Sequence, residues 1–208
     1  KSLAQTKVLL DEAAADGTAA AGSEVKKLGD WYATFMDEAA LDKAGFAPVK
    51  PELDAIDAVS SHAQLIDLFA RNHGAIGMRP LAVDVDADRN VVGKMRPSIG
   101  ISGVLLGARE FYLEPAYAPV RQAQRAHIAR LLEIGGFDDA EARAKRVQDL
   151  ETRIARITLP AAELRDDNKK NNVVVPAELA TMAPGIDWPK YLAATGVGAP
   201  EKVIVPTP

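Results

Sequence analysis

LAVDVDADRNVVGK, residues 81–94, reads either as a calcium loop between two helices or as a β-hairpin, and the fold class follows from which it is. A calcium helix-loop-helix needs oxygen ligands at positions 1, 3 and 5, a glycine at 6 and a bidentate glutamate at 12. Asp84, Asp86 and Asp88 meet the first requirement, but Arg89 stands at the turn position and Met95 at the closing one. Leu81, Val83 and Val85 alternate with Ala82, Asp84 and Asp86, which is the period of a strand. The stretch therefore reads as a hairpin over about residues 80–97, with Ala87 to Asn90 as its turn. Asp and Asn suit such a turn because they bond their own backbone and tolerate left-handed dihedrals. A calcium-responsive module built on the three aspartates ranks last among the functional readings.

Helical periodicity surrounds the hairpin. KSLAQTKVLLDEAAA, residues 1–15, predicts a helix with Leu3, Leu10 and Ala14 near one face, ending at Asp16-Gly17. A second helix is predicted from Ser23 to Asp42, where Val25, Leu28, Tyr32, Phe35 and Ala39 recur at three- and four-residue steps. Gly45, Pro48 and Pro51 then break the chain. A third is expected from Ser60 or Ser61 to Gly74, with Leu65, Leu68 and Phe69 inward and His73 in the last turn. After the hairpin, SIGISGVLLG, residues 98–107, reads as a glycine-rich connection and a close backbone crossing. A long helix follows over residues 114–136, its start displaced by Pro119. Residues 138–157 give the clearest stripe: Ala140, Ala144, Val147, Leu150, Ile154 and Ile157. Glu141 before Lys145 and Asp149 before Arg153 have the favoured helical pair order. Two short helices are expected around residues 176–182 and 187–195. The tail, residues 198–208, reads as a strand-like linker. The predicted fold is mainly α, a multi-helix domain over residues 1–197 with one small hairpin.

Composition bounds the function without giving it. The 208 residues are 48% hydrophobic and 26% charged, ordinary for a globular chain able to bury a core. A net charge of −4 supplies no basic footprint for nucleic acid. No apolar run approaches the roughly 20 residues that span a bilayer. Without cysteine there is neither disulfide nor thiolate metal site. His62, His73 and His127 are the histidines, and none stands in the H-E-x-x-H spacing that puts two imidazoles on one zinc. They read as capping or partly buried side chains. Asp37 and Glu38 are neighbours in a helix and point in different directions, so they make no catalytic pair; the same objection removes Asp138-Asp139 and Asp166-Asp167, where turn and cap roles are commoner. Trp31 and Trp188 read as core. No residue is assigned a catalytic or metal-binding role, and none is singled out for substrate.

Several stretches taken in order resemble the amino-terminal helical region of the neprilysin and endothelin-converting-enzyme family of zinc metallopeptidases, in particular its bacterial members. KKLGDWYATFMDEAALDKAGFAPVKPELDAID, residues 26–57, is similar to that family's passage from a tyrosine-bearing helix into a proline-containing connection, and LAVDVDADRNVVGKMRPSIG to its hairpin. GVLLGAREFYL resembles Gly-Leu-Gly-Leu-Pro-x-Arg-Asp-Tyr-Tyr, with Gly103, Leu106, Arg109, Tyr112 and Leu113 matching and Glu110 and Phe111 conservative. RAHIARLLEIGG and VQDLETRIARI follow in place. LRDDNKKNN resembles Arg-Asp-Pro-x-x-x-Tyr-Asn, retaining Arg165, Asp166 and Asn172. Gly107 and Asp167 stand where the family has proline, and Asn171 where it has tyrosine.

The resemblance implies a helical lobe facing a catalytic lobe across an enclosed cavity. In the family a carboxy-terminal domain carries H-E-x-x-H and a downstream glutamate, which bind zinc. These residues are expected outside the chain, as is an early family segment with substrate-contacting arginines, so the chain reads as a fragment. Its expected partners are the catalytic domain of the same polypeptide and short peptide substrates. The expected role is restriction of access, with residues 198–208 leading toward the zinc domain and the chain alone inactive. An exported parent, periplasmic, secreted or membrane-anchored, is implied by the family alone. The rival is a stand-alone helical interaction or scaffold domain.

Overall fold

The computed structural model describes residues 2–71, 80–101 and 103–207. The chain divides into two compact units, Lys1–Leu53 and Asp54–Pro208.

In the first unit α1 (Ser2–Ala15) packs along α2 (Glu24–Met36). Gly29 sets their spacing, because a Cβ there would lie 2.3 Å from the Ala13 carbonyl oxygen. Tyr32 Oη donates to Asp11 at 3.1 Å beside that contact. Ser23 caps α2, its hydroxyl oxygen accepting from the Lys26 amide at 3.2 Å. The helix predicted through Asp42 is broken at Asp37. That residue leaves the helical region at ψ 75° and its carboxylate accepts from the Ala40 amide at 3.0 Å, which starts α3 (Glu38–Ala44). A short polar side chain that bonds a nearby amide competes with helix continuation, and here the cap wins over the apolar period. Gly45 ends α3 at φ 51°. Pro48 and Pro51 are not breaks: a 3-10 turn over Ala47–Val49 runs into α4 (Lys50–Asp57), and Pro51 sits in the first turn, where its missing amide has no intrahelical partner to lose.

In the second unit α5 (His62–Arg71) precedes the hairpin; the predicted end at Gly74 and His73 lie outside the described residues. β1 (Leu81–Ala87) and β2 (Met95–Ile101) pair antiparallel from Leu81↔Ile101 to Ala87↔Met95. The turn is longer than predicted, since Ala87 is still paired and the loop runs from Asp88 to Lys94. The Asp88 amide donates to the Lys94 carbonyl at 2.8 Å, and Gly93 takes φ 75°. β2 also absorbs Ser98–Ile101, which the glycines had marked as connection. No close crossing occurs at Gly100, where a Cβ would meet only the Pro206 ring, at an ordinary 3.9 Å.

The remaining elements are α6 (Glu110–Leu113), a 3-10 turn at Pro115–Tyr117, α7 (Ala118–Ile134), α8 (Ala140–Ile157), α9 (Asp167–Lys170), β3 (Asn172–Val174), α10 (Pro176–Met182), α11 (Trp188–Ala194) and β4 (Val203–Val205). The hairpin is thus half of a four-stranded sheet ordered β1-β2-β4-β3. β4 lies parallel to β2 at Ser98↔Ile204 and antiparallel to β3. The strand character read in the tail is present, and its place is the sheet interior, with Val203, Ile204 and Val205 all buried. An all-apolar triplet suits a strand covered on both faces. Ala70 of α5, Leu179 of α10 and Trp188, Tyr191 and Leu192 of α11 close over Val83, Ile99, Val203 and Val205 to make the core.

Candidate functional site

The buried face of α8 lies about 60° round the helix from the centre of the predicted stripe, at 3.6 residues per turn, and shares Ala140 and Ala144 with it. Ala140, Ala144, Glu151 and Ala155 are buried, while Leu150 is 48% and Ile157 85% exposed. The alanines let α7 and α8 approach closely, and Glu151 enters the gap. Glu151 is 8% exposed and its carboxylate accepts from three donors. The Leu105 amide reaches Oε1 at 2.9 Å; Tyr112 Oη and Gln124 Nε2 reach Oε2 at 2.8 and 2.7 Å. Tyr112 Oη in turn accepts from the Leu106 amide at 3.1 Å and from Gln124 Nε2 at 2.9 Å. A buried carboxylate is stable only when hydrogen-bonded in this way. Burial, more than the adjacent carboxylate, pushes the Tyr112 phenol up to about 12. Tyr112 therefore remains a neutral donor at physiological pH.

Arginines fasten the borders of this knot. Arg109 Nη1 donates to the Thr158 carbonyl at 2.7 Å, tying α6 to the end of α8. Arg121 Nη1 donates to the Phe111 and Glu114 carbonyls at 2.8 and 2.9 Å. Gly107 lies inside the loop so held, at φ 81°, with its amide donating to the Val104 carbonyl at 2.8 Å. Proline, fixed near −65° and lacking an amide, fits neither condition. The loop here thus has a conformation closed to the proline of the resembled pattern. Of the matching residues, Leu106, Arg109 and Tyr112 meet in this one assembly, which holds a loop against two helices and presents no reactive group. Sequence reasoning missed Glu151, Gln124 and Gln148, whose Nε2 donates to the Arg121 carbonyl at 2.7 Å and to Gln124 Oε1 at 3.3 Å. The signal available was the small-and-polar series Ala140, Ala144, Gln148, Glu151, Ala155, which keeps helical spacing beside the aliphatic stripe.

A second polar assembly sits at the hairpin loop. Arg96 Nε donates to Asp88 Oδ2 at 2.6 Å with both side chains buried, and the Asn90 amide donates to Asp88 Oδ1 at 2.9 Å. The Arg96 guanidinium beside it holds the Asp88 carboxyl below the usual carboxylate range. Asp84 and Asp86 are exposed on β1. The three aspartates of the opening motif are thus split between strand surface and a buried ion pair. At the loop tip Arg89 Nη1 meets Asp167 Oδ2 at 2.6 Å, and the Arg89 amide donates to Asn171 Oδ1 at 3.4 Å. Two departures from the family pattern, Asp167 and Asn171, are the residues that hold Arg89.

A cleft of about 510 Å³ opens between α5 and α11, lined by Ile66, Ala70, Tyr191 and Ala194 and crossed by an Asp67–Lys190 ion pair at 2.6 Å. His62 packs under Gly185, where a Cβ would meet its Cε1 at 2.9 Å. His127 is exposed on α7. Trp188 is core, as predicted, whereas Trp31 is 61% exposed. Lys145 pairs with Asp149, and Glu141 with Arg125 of α7, in place of the two pairs predicted within α8. Among the described residues no three of His, Cys, Asp and Glu come together to hold a metal ion. The zinc implied by the resemblance therefore finds no ligand set in them. Among the same residues no helix is long and apolar enough to cross a membrane.

Comparison with known proteins fits this architecture. The amino-terminal model of peptidase family M13 matches residues 1–208. Endothelin-converting enzyme 1 of Bos taurus is 27% identical over 172 residues, covering 81% of this chain and 20% of that protein. The Homo sapiens enzyme is 23% identical over 192 residues, covering 85% of this chain and 24% of its own. Among solved structures, zinc metalloprotease Zmp1 of Mycobacterium tuberculosis in its open state superimposes with a TM-score of 0.84 at 28% identity, covering 99% of this chain and 32% of that one. PepO from Lactobacillus rhamnosis shares the fold, with a TM-score of 0.80 at 18% identity over 100% of this chain and 34% of its own. The chain thus spans about a fifth to a quarter of these curated relatives and about a third of the solved ones. Together with the ordered motifs and the knot they build, the match shows that the chain belongs to peptidase family M13, a zinc metallopeptidase family, as part of its amino-terminal region.

Proposed function

We propose that these residues form part of a helical lobe that restricts substrate access to a zinc catalytic site carried elsewhere in a longer, exported M13 polypeptide, which hydrolyses short peptides. One observation carries the reading: 99% of the chain superimposes on a third of the Mycobacterium tuberculosis zinc metalloprotease at 28% identity. A wall needs no reactive group, because it selects by steric rejection of what cannot enter. What it needs is stiffness. The Glu151 knot supplies it by fixing the loop from Gly103 to Arg109 against α7 and α8 with hydrogen bonds to a charged, desolvated centre. The partners are then the catalytic domain of the same polypeptide and its peptide substrates.

Peptidase assays with a quenched fluorescent peptide test this. The complete polypeptide is expected to turn the peptide over and to lose activity with a zinc chelator, while the 208 residues alone do neither. Chelator-sensitive turnover by the 208 residues alone overturns the reading. A stand-alone interaction domain is the second reading, favoured by the exposed apolar side chains of α2. A complete polypeptide without chelator-sensitive peptidase activity decides for it.

A further inference from the structure

Of the apolar face that the sequence marks on α2, Val25, Leu28 and Phe35 are uncovered, while Tyr32 is half-buried. Val25, Leu28, Trp31, Phe35 and Met36 are all exposed, and at 3.6 residues per turn they fall within about 140° of the helix circumference. Trp31 and Phe35 stack on each other with ring centroids 5.9 Å apart, forming one aromatic ledge. α1 meets α2 at Gly29, beside this arc, and at Tyr32, which falls within it between Val25 and Leu28, while the five bulky side chains around that contact stay exposed. Gly29 is the one buried residue among the described residues of the first unit. A contiguous apolar patch of this kind marks a contact surface.

Charge narrows the occupant. Lys26 is paired with Asp30 and Lys27 with Glu24 at 2.9 Å, within the helix itself. The rim is self-neutralised and offers an incoming surface little electrostatic steering, so binding must come from apolar burial. The matched region spans only 32% of the solved zinc metalloprotease. About two-thirds of a polypeptide of that kind therefore lies outside it. We propose that the α2 face is an intramolecular docking surface, covered by an aliphatic and aromatic segment of the same polypeptide outside residues 1–208. This rests on the longer M13 polypeptide of the reading above.

The test places photoreactive p-benzoylphenylalanine at Phe35 of the complete polypeptide. The expected product is a crosslink within one molecule whose second peptide lies outside the 208 residues. A crosslink to a second copy, one within residues 1–208, or none, overturns the inference. Iodide quenching reads the same surface without a crosslink. Wild type and Trp31→Phe complete polypeptides are expected to lose the same fluorescence amplitude to iodide, because Trp31 is covered. A quenchable component lost in Trp31→Phe counts against the inference. Chelator-sensitive turnover without the crosslink removes the docking inference alone; the crosslink without turnover removes the peptidase reading alone.

Discussion

Tyr112→Phe removes one oxygen from the Glu151 knot and leaves its packing volume almost unchanged. That oxygen makes three hydrogen bonds. Gln124 Nε2 keeps a partner in Glu151 Oε2 at 2.7 Å, but the Leu106 amide at 3.1 Å has no acceptor left and Glu151 loses one of three donors. One half-buried amide without a partner and one weakened, buried charged acceptor together cost roughly 2–3 kcal/mol. For a chain of this size that lowers Tm by about 4–12 °C. Lys145→Ala, which breaks the exposed pair with Asp149, is the control and is expected to change stability by less than about 1 kcal/mol. Denaturant melts of both variants give the comparison. A cycle with Glu151→Gln adds a stricter criterion, since contacting members of one network show a coupling of about 0.5 kcal/mol or more. Additive effects, or a Tyr112→Phe melt matching the control, would refute the knot as the fastening of this loop.

Other perturbations follow from the same geometry. Gly29→Ala puts a methyl group against the Ala13 carbonyl at 2.3 Å, so α1 is expected to lose amide-exchange protection while α8 keeps its own. The depressed carboxyl of Asp88 favours the folded state above its unfolded pKa, about 3.9, and that contribution is lost as pH falls through the lower folded value. Acid titration of Asp88→Asn is expected to show a shallower loss of stability there than wild type. The phenol of Tyr112 behaves in the opposite sense. Raised from about 10 to about 12, it contributes stability that is complete below the unfolded value and lost across that interval as pH rises. Tyr112→Phe is expected to flatten the alkaline limb, as read by circular dichroism.

The outcome at individual residues shows where sequence periodicity speaks and where it stops. Alternation at Leu81–Asp86 located β1, although of its apolar positions only Val83 is buried and Val85 is 61% exposed. The tail holding β4 reads as strand-like, but periodicity could not place that three-residue strand in the sheet, because its partners lie more than a hundred positions earlier or some thirty away. On α8 two neighbouring arcs both keep helical spacing, one aliphatic and one of alanines with Gln148 and Glu151. Hydrophobicity selects the first. Close helix packing and the buried carboxylate select the second. Asp37 and Pro51 were misread for a local reason, since each can end or begin a helix and only the neighbouring hydrogen bonds decide. The family stretches were legible as strings of residues, Glu151 among them in VQDLETRIARI, but not as an assembly around that carboxylate.

Size selection tests the central claim most directly. The complete polypeptide is offered one cleavage sequence in unstructured peptides of increasing length and finally in an exposed loop of a folded protein, with kcat/KM measured for each. If these helices wall an enclosed site, kcat/KM is expected to hold for short peptides, fall steeply with length and be undetectable for the folded protein. A folded substrate cleaved as fast as the short peptide would contradict the account.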